Sequence, residues 1–175
     1  EVPPESPARG LLGEIDTEVT TSLADVRRLV EALRPPALDE LGLLGAVRSR
    51  AAALAGDLEI DVDGSDPRGP LPAAIETAAY RIAVEAMTNA LRHSDGMRCT
   101  VSILVGDDAV ELAVRDDGHG LKPDRTPGVG LRSMRERAAE VGGTLSVRSP
   151  PEGGTVVAAS LPLSLGGPVD QADPG

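Results

Sequence analysis

The sequence predicts an α+β fold: a two-layer α/β sandwich with a mixed, mostly antiparallel sheet, preceded by a coiled-coil-type helix. Three observations carry that expectation. Leu12, Ile15, Val19, Val26, Leu29 and Leu33 alternate steps of three and four, with Ser22 interrupting, which is the seam of a helix packed on another helix. Farther on, pairs of segments with period-two apolar alternation are joined by glycine-bearing turns, the pattern of β-hairpins. Helical patterns interleave with those strands and supply a cover for one side of the sheet.

The elements follow in order. Residues 1–9, rich in Pro, read as a disordered or cut end. Residues 10–36 hold the heptad helix, which Pro35 and Pro36 terminate. Residues 37–57 form a connecting helix from about Asp39 to Ala55, with Asp39 as its cap. From 58 to 163 one domain is expected, followed by a disordered tail over 164–175. Within it, Leu58, Ile60 and Val62 alternate with acids as an exposed or edge strand. A long helix runs from about Pro72 to Arg92. Cys99, Val101, Ile103 and Val105 form one strand and Val110, Leu112 and Val114 its hairpin partner. A helix over 130–141 points Met134, Ala138 and Val141 inward and stops at Gly142-Gly143. A second hairpin, 144–148 with 155–161, completes the sheet.

Composition excludes several function classes. There is no Phe or Trp and Tyr80 is the one aromatic, so base-stacking platforms for single strands are excluded and the core must be Leu, Val, Ile and Ala. A net charge of -11 argues against a duplex-binding surface, and no nucleic-acid partner is expected. Cys99 is the one cysteine, so no disulfide framework exists, a reducing compartment follows, and its alternating strand makes it a core residue. Two His and one Cys are too few for a zinc site. No run approaches the roughly 18 apolar residues of a membrane helix, so the chain is read as soluble and cytoplasmic.

The chemistry-bearing residues fall in four places. Glu85, Asn89, Arg92 and His93 stand on one side of the long helix, while Ile82, Ala83, Ala86, Met87, Ala90 and Leu91 fill the rest. So apolar a helix is expected to be buried, and a buried acid, amide and cation need partners that a metal and an anionic ligand could supply. Asp116-Asp117-Gly118-His119-Gly120 follows a strand directly, with Asp116 placed to accept from a donor such as a purine amine. Gly128-Val129-Gly130-Leu131 leads into a helix, whose free amides are an anion seat, although no Walker lysine follows. Gly153-Gly154-Thr155 opens the last strand.

These four features, in this order, resemble the ATP-binding fold shared by gyrase, heat-shock chaperone ATPases, sensor histidine kinases and mismatch-repair proteins, from about residue 70 to 162. The stretch from Leu33 to Leu43 (Leu-Arg-Pro-Pro-Ala-Leu-Asp-Glu-Leu-Gly-Leu) is similar to the link between dimerisation helix and ATPase domain in sensor kinases that act on regulators with helix-turn-helix output domains. Arg132-Ser133-Met134-Arg135-Glu136-Arg137 resembles that class as well.

The resemblance implies ATP and Mg²⁺ as ligands. It gives Asn89 to Mg²⁺. Glu85 falls on the acid that polarises water in the family's hydrolases, and Arg92 and His93 face the phosphates. It gives Asp116 to the adenine amine, Gly118 and Gly120 to the chain's wrap around the base, and Thr155 to the adenine edge. Gly128, Gly130 and Leu131 border a lid over the phosphates, here a short one between Leu121 and Pro127 without Phe.

Kinases of this type phosphorylate a His on the first dimerisation helix, yet the sequence holds only His93 and His119, both in the nucleotide domain. The seam at 12–33 is therefore expected to be the second helix of a hairpin, and the chain a piece of a longer sensor protein that dimerises, possesses any membrane anchor upstream, and relays phosphate to a response regulator. Alternatives are a degenerate kinase module that signals by conformation, and an anti-sigma-factor-type serine kinase, against which the proline-linked heptad helix counts.

Overall fold

The computed structural model describes residues 34–56, 58–65, 69–93, 95–121 and 128–164. The heptad helix expected over 12–33, the end at 1–9, the tail from 165 and the lid at 122–127 lie outside the described residues. The elements below belong to one compact unit beginning at Pro36.

Helix α1 spans Pro36–Leu54. It starts three residues before the expected Asp39, because Pro36 suits a first helical position where no amide bond is needed. Asp39 therefore lies inside the first turn, where its charge complements the helix dipole, and is not the cap. Gly42, at φ +66°, kinks the path. Leu38, Leu43, Leu44, Ala46, Val47 and Ala51 face inward. Strand β1, Glu59–Gly64, is a sheet edge as expected, its three acids exposed.

Helix α2, Ala73–His93, carries the polar ladder. Ile82, Ala83, Ala86, Met87 and Ala90 are buried, but Leu91 is 41% exposed, contrary to expectation. Arg92 and His93 are exposed too, and Glu85 and Asn89 half-buried. The apolar pattern does not reveal that Leu91, next to the buried Ala90, stays outside the core.

Strands β2 (Arg98–Val105) and β3 (Ala109–Asp116) form the first hairpin, antiparallel from Cys99 opposite Asp116 to Val105 opposite Val110. Helix α3, Val129–Glu140, ends where the amides of Gly142 and Gly143 bond the carbonyls of Ala139 and Ala138, a Schellman closure. Strands β4 (Thr144–Arg148) and β5 (Val156–Pro162) form the second hairpin. The order is β1-β2-β3-β5-β4, with β1 parallel to β2 and every other pair antiparallel.

The core lies between this sheet and helices α1, α2 and α3. Cys99, Val101, Ile103, Val110, Leu112 and Val114 point into it, together with the flexible thioethers of Met87 and Met134. Among the described residues no helix is long and apolar enough to cross a membrane.

Candidate functional site

The alternation that buries Val110, Leu112 and Val114 also turns Asp116 inward, leaving it 8% exposed at the end of β3. A carboxylate so placed must find donors. Its Oδ1 accepts from the amides of Gly118 at 3.0 Å and Thr155 at 3.2 Å, while the Asp116 amide donates to the Thr155 carbonyl at 3.0 Å. Oδ2 has no hydrogen-bond partner among the described residues.

The two glycine segments close on each other at this point. The Gly154 amide donates to the Gly118 carbonyl at 2.7 Å. Gly154 holds φ +77°, and a Cβ there would overlap the Asp116 carbonyl oxygen. Gly120 packs on Ser149, whose hydroxyl accepts from the Leu121 amide at 2.7 Å. Asp116, Gly118, Gly120 and Thr155 thus share one corner.

The ladder meets the other glycine pair. Gly130, in the first turn of α3, sits where a Cβ would overlap Glu85 Oε1 and come 3.4 Å from Asn89 Nδ2. The side chains of Glu85 and Asn89 have no hydrogen-bond partner among the described residues. Nor does any side chain among the described residues cap the start of α3, where Gly128 is extended at the N-cap and a Cβ would meet nothing within 4 Å. Half-buried oxygens beside free helix amides can meet both a cation and an anion. Leu131 follows, half-buried against the core. Arg92 and His93 stand beyond, in no hydrogen bond or ion pair among the described residues.

Residues missed by the sequence reading support this corner. Asp117, exposed where Asp116 is buried, accepts from the amides of Met97 and Arg98, each at 2.9 Å. These bonds, led by that of Arg98, hold its carboxyl below the usual carboxylate range. The Asp-Asp doublet was the available signal, since strand alternation must send its members to opposite faces. Ser149 gave no signal. His119 turns its Nδ1 to the Gly120 carbonyl at 2.7 Å. Cys99 is fully buried, and burial, then the charges of Asp116 and Asp117, push its thiol up to about 12, so it is no nucleophile.

Among the described residues no group of three His, Cys, Asp or Glu gathers as a metal cage. The hard oxygens of Asn89 and Glu85 nevertheless suit Mg²⁺, which commonly takes few protein ligands and completes its shell with phosphate and water.

The profile of histidine kinase-, DNA gyrase B- and HSP90-like ATPases matches residues 74–165. Sensor protein VraS of Staphylococcus aureus strain COL is 32% identical over 152 residues, which cover 86% of this chain and 44% of that protein. VraS of Staphylococcus epidermidis RP62A is 31% identical over 162 residues, 91% of this chain and 47% of that one. The chain spans less than half the length of these relatives. Among solved structures, the histidine kinase domain of the blue-light-activated kinase EL346 from Erythrobacter litoralis superposes with TM-score 0.60 at 22% identity, over 73% of this chain and 69% of that one. The ATP-binding domain of PrrB from Mycobacterium tuberculosis gives TM-score 0.51 at 25% identity, over 71% of this chain and 93% of that one.

Proposed function

This chain belongs to the histidine kinase-, DNA gyrase B- and HSP90-like ATPase family, and we propose that it is the ATP-binding catalytic portion of a two-component sensor histidine kinase. The observation that carries the reading is the approach of Gly130 to Glu85 and Asn89, which sets a helix start without a side-chain cap beside an acid and an amide that have no partner among the described residues.

On this reading Asp116 Oδ2 takes the exocyclic amine of adenine. A carboxylate held by two amides through its other oxygen can only accept, so it favours a 6-amino purine over a 6-oxo one. Thr155 borders the base, and Gly118 and Gly120 bring the backbone close to it. The first amides of α3, at Gly130 and Leu131, meet the phosphates, with Gly128 leaving open room at their entry.

Asn89 is assigned to Mg²⁺, with Glu85 ordering its water shell. Held by Asn89, the ion would supply neutralisation of the charge carried by the phosphates. Arg92 and His93, exposed one turn beyond, offset the charge that develops on the moving phosphoryl group. The acceptor is a His on a dimerisation helix, and neither His93 nor His119 is one. The heptad seam at 12–33 is assigned to the second helix of that hairpin, in a homodimeric, cytoplasmic catalytic region. The downstream partner is a response regulator with a helix-turn-helix output domain.

Calorimetric titration with ATP, with and without Mg²⁺, tests the binding reading. Saturable, Mg²⁺-dependent binding is expected, and its absence would end the proposal. Adding a helix that bears the acceptor His should then yield acid-labile phosphate on that His. Bound ATP without such label would instead favour a module that signals by conformation.

A further inference from the structure

We propose that Asp117 is a positioning residue for nucleotide binding: it clamps the entry of β2 to the exit of β3 and so fixes the spacing between the ladder end of α2 and Asp116. The inference rests on the ATP-site reading above.

Asp116 and Asp117 are consecutive, and the strand pleat sends them to opposite faces. Asp116 turns to the core side, where its Oδ2 has no hydrogen-bond partner among the described residues. Asp117 turns outward and back, and its Oδ1 gathers the amides of Met97 and Arg98. Its own amide donates to the Arg98 carbonyl at 3.2 Å, closing a two-way bridge. Gly96 packs so tightly that a Cβ would overlap the same Oδ1 and lie 2.9 Å from the Gly118 amide. One carboxylate is therefore wrapped by the segment that follows the ladder, and that segment touches the turn that shapes the base corner.

The ladder ends at His93 and β2 begins at Arg98, so little chain separates them. Releasing residues 96–98 frees the end of α2 from the Asp116 turn. The two halves of the site would then lose their common reference. A carboxylate that merely started a strand would add stability without altering affinity in the folded protein.

The whole 175-residue chain is titrated with Mg·ATP at a temperature where circular dichroism finds each variant folded. Asp117→Ala, which removes the acceptor, is expected to raise Kd at least roughly tenfold, the scale of a lost charge-assisted bond. Asp117→Asn keeps an oxygen for both amides and should bind within about threefold of wild type. Arg115→Ala, which breaks the outer-face pair of Arg115 with Glu152 at 3.2 Å, controls for general destabilisation and should leave Kd unchanged. Asp117→Ser, which also removes the carboxylate, repeats the test should Asp117→Ala fail to fold. A smaller loss in Asp117→Ala, or an equal loss in the Asn variant, overturns the inference and leaves the ATP site standing. Absence of binding by wild type overturns the ATP site itself, and this inference with it.

Discussion

Gly130 lies against the carboxylate of Glu85, so closely that even a methyl group on the glycine would overlap Oε1. This contact joins the start of α3 to the middle of α2, and it separates two properties that substitutions usually change together.

Gly130→Ala should accordingly lose function without losing the fold. Ala favours a helix over Gly by up to about 1 kcal/mol, and the overlapping atom is the far end of a flexible side chain that can swing away. Thermal melting is expected to stay level or rise slightly. Mg·ATP affinity should fall at least about tenfold as Glu85 is displaced from its place beside Asn89.

Asp116→Ala removes both the open oxygen and the acceptor for two amides. ATP binding should fall below detection in calorimetry. Unfolding in urea should show a loss of about 1–3 kcal/mol from the stranded Gly118 and Thr155 amides. Asp116→Asn can keep Oδ1 in place, so it should recover much of the stability while binding ATP poorly.

Gly154→Ala should destabilise by about 1–3 kcal/mol, because a positive φ and an overlap with the Asp116 backbone coincide. Gly128→Ala, with open space around it and an extended backbone, should change stability by less than about 1 kcal/mol. Paired urea melts compare the two directly.

The acid limb of stability should depend on Asp117. Amides of Arg98 and Met97 depress its folded pKa below the unfolded value, so the charged form stabilises the native state. That contribution is complete above the ordinary carboxylate range, near pH 4, and disappears as pH falls through the lower folded value. Asp117→Asn should flatten the decline in Tm between about pH 5 and pH 2. A decline identical to wild type would mean that other carboxylates account for it.

Local order was legible in the sequence wherever one periodicity ruled one segment. Val101 and Ile103, then Leu112 and Val114, alternate because a single face of their hairpin is buried, and Met134 and Ala138 mark the inner side of α3. Asp116 could be placed by extending the same alternation. What stayed hidden depends on which elements meet. The exposure of Leu91 depends on which elements cover α2, and no property of the helix itself records that. The approach of Gly130 to Glu85, the wrap of residues 96–98 around Asp117 and the bond from Leu121 to Ser149 join segments about 20 or more residues apart. The parallel pairing of β1 with β2 was likewise unreadable, because its alternation fits either direction.

Asp116 is already tethered through Oδ1 to its own turn and to the strand that follows Thr155. An ordinary aspartate must surrender rotamer freedom when it grips a ligand, at roughly 0.5–1.5 kcal/mol for an immobilised side chain. Here that entropy was given up when the sheet formed. A donor arriving at Oδ2 meets a group already held in place, so its hydrogen bond forms without that rotamer cost.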